Sequence, residues 1–142
     1  MAVTTKTLQN RLIHANSLKK VLEQNEEAFI ECPVSEYLIQ LCEKYQMTTG
    51  DVIRQAQIER TYGYQIFNGT RMPSREKLLQ LAFGFGLTFE ETQELLKKSG
   101  KGGLYSKIKR DAACIFALSH RMHMQEVQEL LASIGLPLLG EV

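Results

Sequence analysis

Neither sign of charge dominates this 142-residue chain: 17 Lys and Arg stand against 16 Asp and Glu, a formal net charge of +1. A surface that grips phosphate everywhere is excluded, so any attraction for a polyanion has to come from how the charges are distributed. Cysteine is scarce and odd in number. Cys32, Cys42 and Cys114 lack ligand-like spacing, which fits buried free thiols in a reducing compartment rather than a disulfide frame. No apolar run approaches a membrane span, and the N-terminus has neither the basic start nor the apolar core of a signal peptide. The expectation is a cytoplasmic protein without membrane contact. Sustained two-residue alternation is missing as well, which argues against a sheet. There is no glycine-rich phosphate loop, no nucleophile elbow and no carboxylate pair distinguishable from helix surface; Glu90 and Glu91 suit a helix start. His120 and His123 are spaced to meet one metal ion, but no third ligand lies near them and His14 stands alone. No metal, no cofactor and no enzymatic activity are expected.

What is present is helical periodicity from end to end, in a chain whose 44% hydrophobic and 23% charged residues are ordinary for one folded core with an appendage. Leu8, Leu12, Ala15, Leu18 and Leu22 form an apolar stripe that predicts a first helix of about four turns, ending near residues 24–27. That arm either packs on the body of the protein or serves a partner. Pro33 and Ser35 then punctuate the chain before Tyr37, Leu38, Leu41, Cys42 and Tyr45, which share one face of the next helix.

Residues 47–82 are the most informative stretch. Thr48 followed by Asp51 three residues on is a capping start, and Val52, Ile53 and Ala56 give one apolar face before the pattern breaks at Gln57. A second short helix restarts at Glu59 with Tyr62, Ile66 and Phe67 at helical spacing, and Asn68-Gly69 followed by Pro73 ends it. Ser74 caps a third helix carrying Leu78, Leu79, Leu81 and Ala82. Two short helices joined by a tight turn, a polar loop and a third helix is how a small protein presents a helix to the DNA major groove.

The segment resembles the lambda-repressor-like helix-turn-helix of the XRE family of bacterial and phage regulators. Thr49 matches the first position of that motif, Val52, Ala56, Ile58 and Ile66 match its apolar positions, and residues 68–74 match its usual loop. With Leu87 and a leading helix over residues 35–46, the likeness reaches about half of the chain. Three residues depart from the family pattern. Ile53 stands where a small residue is usual, Gln57 where glycine is usual, and Gly63 where a branched apolar residue is usual. The family's geometry sets Ile53 against Gly63, so a large-for-small change answers a small-for-large one and core volume is kept. Gln57 implies either a turn of another geometry or a fold that absorbs about 1 kcal/mol of left-handed strain.

The resemblance implies an all-α lambda-repressor-like bundle that binds double-stranded DNA as a homodimer. It places Glu59, Arg60, Thr61, Tyr64 and Gln65 on or near the groove-facing side of the second motif helix. Gln65 can pair with adenine and Arg60 with guanine. Thr49, Asn68, Thr70, Arg71 and Arg75 surround that helix as phosphate donors, with helix capping as the structural role open to Thr49 and Asn68. Either Tyr62 or Tyr64 can contact the groove, and either can fill the space that Gly63 leaves.

Charge agrees in part. Residues 47–87 carry a net +2, the only positive block, while residues 1–46 carry a net -1 and the rest balance. A second run of cations, Lys97, Lys98, Lys101, Lys107, Lys109 and Arg110, contains no acid and reads equally as helix-end decoration or as a phosphate patch. The C-terminal half also repeats itself. An offset of 35 residues sets 75–100 on 110–135 with eight identities, among them Arg75 on Arg110 and the Gln-Glu-Leu-Leu runs 93–96 and 128–131. The expected organisation is an amphipathic arm over 1–30, a helix-turn-helix domain over 31–103 and a helical hairpin over 104–142, an arrangement also resembling XRE-like proteins that end in a duplicated hairpin. The alternative function is an adaptor that keeps the helix-turn-helix frame to bind a protein partner without reading DNA.

Overall fold

The computed structural model describes residues 3–26 and 33–140; Cys32 and Glu27, the last residue of the end expected for the first helix, lie outside them. Among the described residues the chain is all-α, with no strand and no helix long and apolar enough to cross a membrane. It divides into two compact units, Met1–Glu31 and Cys32–Val142.

The first unit corrects one expectation. Instead of one helix of about four turns its described residues form two, α1 (Thr5–Ile13) and α2 (Leu18–Gln24). Ser17 is extended and its hydroxyl accepts the Lys20 N–H at 3.4 Å, starting a new helix where the apolar spacing alone would have continued the old one. The Arg11 guanidinium donates to Asn25, which in turn donates to the Val21 carbonyl at 2.8 Å.

The second unit contains α3 (Val34–Tyr45), α4 (Thr49–Gln55), α5 (Arg60–Phe67), α6 (Arg75–Phe85), α7 (Phe89–Lys98), α8 (Lys109–Ser119) and α9 (Met124–Ser133) around one core running from Val34 to Leu139. Helix α6 is the axle. Leu78 through Phe85 are buried without a break, because α3, α4, α7 and α9 pack around it. Gly84 lets α4 come close: a Cβ there would lie 2.9 Å from both the Ala56 Cβ and the Val52 carbonyl oxygen. Helices α7 and α9 keep the 35-residue offset at both ends. Leu95, Leu96 and Leu131 are buried and Leu130 is half-buried, so the two hairpins share the core as well as the pattern.

Candidate nucleic-acid interface

Helix α4 begins where the sequence places it. The Thr48 hydroxyl accepts the Asp51 N–H at 3.1 Å, which leaves Thr49 in the first turn and not in the capping role considered for it. It ends in a left-handed turn: Gln57 has φ 56°, with its N–H on the Arg54 carbonyl and the Ile58 N–H on the Ile53 carbonyl. The fold therefore absorbs the strain and does not change the turn. Buried Gln80 of α6 donates to the Ala56 and Gln57 carbonyls at 3.1 and 3.3 Å, fastening the turn from behind.

The expected contact between Ile53 of α4 and Gly63 of α5 is present. A Cβ built on Gly63 would stand 2.7 Å from both Cγ atoms of Ile53, whose side chain fills that place and is 3% exposed. Helix α5 is thus seated by its Gly63, Ile66 and Phe67 face, and the opposite face turns outward.

Glu59 is a correction to the expected base-reading set. Its carboxylate accepts the Thr61 and Tyr62 N–H groups at 2.9 and 2.8 Å, one on each oxygen, and those two bonds hold its pKa below the usual carboxylate range. The acid is tied to the start of α5, where it also suits the helix dipole. Arg60 and Thr61 remain exposed, with the Arg60 guanidinium 5.8 Å from the centre of the Tyr64 ring. The two tyrosines differ in exposure, and Ile53 rather than either of them fills the space beside Gly63. Tyr62 is half-buried on the core under Arg71 and Lys77, at 4.4 and 5.4 Å from its ring centre, whereas Tyr64 is 40% exposed. The Tyr64 hydroxyl reaches back over Gly50, where an added Cβ would lie 3.1 Å from it.

Gln65 and Arg71 form one unit. The Arg71 Nε donates to the Gln65 side-chain oxygen at 3.0 Å and its backbone N–H to the Gln65 carbonyl at 3.1 Å. An amide oxygen has two acceptor positions, so Arg71 fixes the amide's orientation and leaves one lone pair and both N–H groups for an outside partner. Asn68 closes α5 and its oxygen accepts the Thr70 N–H and hydroxyl at 3.0 and 2.7 Å, a local cap that leaves Thr70 and Arg71 on an exposed loop.

Arg75 is the second correction. Instead of facing outward it donates to the Gly102 and Gly103 carbonyls, each at 2.9 Å, and pairs with the buried Asp111 at 2.9 Å. The second run of cations is likewise broken up: Lys98 lies 4.3 Å over the Tyr37 ring and Arg110 is paired with Glu76 at 2.6 Å. Lys77, in the first turn of α6, also reaches the α5 side, where its Nζ donates to the Gln80 side-chain oxygen at 3.0 Å. Among the described residues no three His, Cys, Asp or Glu side chains gather where a metal ion could be held. Burial pushes the Cys114 thiol up to about 11 and the Cys42 thiol upward, so both are protonated at neutral pH. Comparison with protein-family models, with curated proteins and with solved structures gives no match.

Proposed function

We propose that this chain is a sequence-specific DNA-binding transcriptional regulator of XRE type, acting in the cytoplasm as a homodimer that lays α5 in the major groove. The observation that carries the reading is the outward face of α5. Arg60, Thr61, Tyr64 and Gln65 stand on it, Arg71 and Thr70 flank it, and the acid at its start is tied down by backbone N–H groups. On this reading Arg60 and Gln65 are the base readers, while Arg71, Thr70 and Lys77 hold phosphates and fix the register. Among the described residues the exposed large apolar side chains of α5 and the loop after it are Tyr64 and Met72, and an adaptor would need a larger continuous apolar patch. One short helix reads few base pairs, so two copies on two half-sites are expected to supply useful specificity.

The test is selection of genomic duplexes by the purified full chain, followed by titration at several salt concentrations. The expected result is enrichment of sites with two related halves about 10 base pairs apart. If no duplex is held more tightly than by an unrelated neutral protein at low salt, the DNA reading fails and the adaptor takes its place.

A further inference from the structure

A cleft of about 310 Å³ opens where the C-terminal ends of α3, α6 and α8 meet. Its floor is apolar, with Phe83, Phe85, Leu87 and Leu118 buried there and the Tyr45 ring forming a wall. Two turns open onto it, related by the internal repeat: Gly86 caps α6, and Arg121, 35 residues later, follows the His120 cap of α8. Both residues are left-handed, with φ 74° and 56°. Both turns close the same two hydrogen bonds, Gly86 to Phe83 and Leu87 to Ala82 in one, Arg121 to Leu118 and Met122 to Ala117 in the other.

The first copy thus uses the residue that the turn favours, and the second carries an arginine there against its backbone preference. The Arg121 charge acts on the Tyr45 phenol across the cleft, countering the rise that burial and Glu91 impose there. Among the described residues the Arg121 guanidinium has no hydrogen bond and no ion pair, although it lines the cleft. Glu91, the carboxylate behind Tyr45, is already held by the Tyr45 hydroxyl, by Lys44 at 3.0 Å and by the Thr88 N–H at 3.0 Å. Gln46 and Gln57 are left-handed at helix ends as well, with φ 54° and 56°; what sets Arg121 apart is that its side chain brings a charge to the rim of an apolar cleft.

We propose that this cleft binds a small monocyclic aromatic carboxylate, with its carboxylate on Arg121 and its ring on Phe83, Phe85, Leu87 and Leu118. The volume is at the small end of ligand sites, which suits one ring with a short acid arm, and a guanidinium takes a carboxylate through two parallel hydrogen bonds. The site is separate from the α5 face, so it stands or falls independently of DNA binding.

Titration of the full chain with phenylacetate, read by the methyl resonances of Leu87, Leu118 and Met122, tests it. The expected result is saturable shifts at those methyls in the millimolar range or tighter, with the neutral phenylacetamide binding at least about tenfold more weakly. Arg121→Gly relieves the backbone and should melt no lower than the parent protein while losing the response. Arg121→Gln, which keeps the left-handed turn but not the charge, should lose it too. Absence of saturation, equal binding of the amide, or a response that survives both substitutions overturns the proposal.

Discussion

Arg110 holds Glu76 across the two hairpins with two guanidinium nitrogens on two carboxylate oxygens, each at 2.6 Å, and the offset of 35 residues turns that pair into Arg75 on Asp111. The relation continues through the loops. Arg75 binds the carbonyls of Gly102 and Gly103, and Arg110 those of Pro137 and Leu138. Gln93 clasps the backbone of Leu104 and Gln128 that of Leu139, both through N–H and carbonyl. Each hairpin gives one arginine and receives one, so the pairing is reciprocal and closed, like the interface of a two-fold dimer within one chain.

Burial pulls the Glu76 carboxyl upward, but Arg110 and the Gly140 N–H outweigh it and leave it below the usual range. Removing one partner of such a pair strands the other, so Arg110→Ala should cost about 3 kcal/mol in urea unfolding. Arg75→Ala should cost less, since its side chain is 30% exposed. Because Arg75 is engaged inside the protein, its loss should lower stability without changing the salt dependence of DNA binding. A reduced salt slope at unchanged stability would show that Arg75 leaves Asp111 for phosphate.

Gly63→Val should overpack the α4–α5 contact and cost about 1 to 3 kcal/mol, and Ile53→Ala alone about 2 to 5 kcal/mol for the cavity it leaves. Joined in one chain they return the larger side chain to position 63 and the smaller to position 53, so the double variant should be more stable than additivity allows. A double-mutant cycle in urea measures this, and additive losses would mean that the two sites do not compensate each other.

The fold was legible wherever a local rule and the core agreed. Thr48, Ser74 and the glycine-ended turns predict their helices, and the 35-residue offset reappears in α7 and α9. The first helix misled because Leu18 keeps the apolar spacing across Ser17, and a cap outranks periodicity when the two conflict. The site was harder to read. Arg75 and Arg110 were visible as equivalent cations, but a cation's partner is a tertiary fact. The alignment did carry the clue: Glu76 falls on Asp111, an acid on an acid, directly after the shared arginine. Glu59 shows the same limit, since a residue expected at a groove-facing position can also be engaged by the N–H groups of its own helix.

Tyr45 and Glu91 give the protein a pH signature. Burial would raise the Glu91 carboxyl, yet the Tyr45 hydroxyl, the Thr88 N–H and Lys44 bring it down from 4.5 to about 2. Burial first and Glu91 second push the Tyr45 phenol up from 10.0 to about 12. A depressed carboxyl contributes stability that is present above pH 4.5 and lost as pH falls through 2; a raised phenol contributes stability present below pH 10 and lost as pH rises through 12. The urea midpoint should therefore fall at both ends. Tyr45→Phe keeps the ring beside Phe85 and should remove the alkaline arm and weaken the acid one. Parallel profiles for the two proteins would deny the hydrogen bond this role.

Gln65 and Arg71 touch, yet on the proposed DNA reading they should fail differently. Arg71 meets phosphate, so Arg71→Ala should weaken binding to all duplexes and reduce the salt slope by about one unit. It should also release the Gln65 amide that Arg71 Nε fixes at 3.0 Å, adding a small loss of discrimination at one position. Gln65→Ala should cost about 1 to 3 kcal/mol on the preferred site alone and leave the salt slope unchanged. Because the two side chains share a hydrogen bond, the double variant should lose less specificity than the sum of the singles. Equal losses on all duplexes from Gln65→Ala would place that residue among the phosphate contacts. No effect of either substitution on a duplex that the chain does bind would move the reading face off α5.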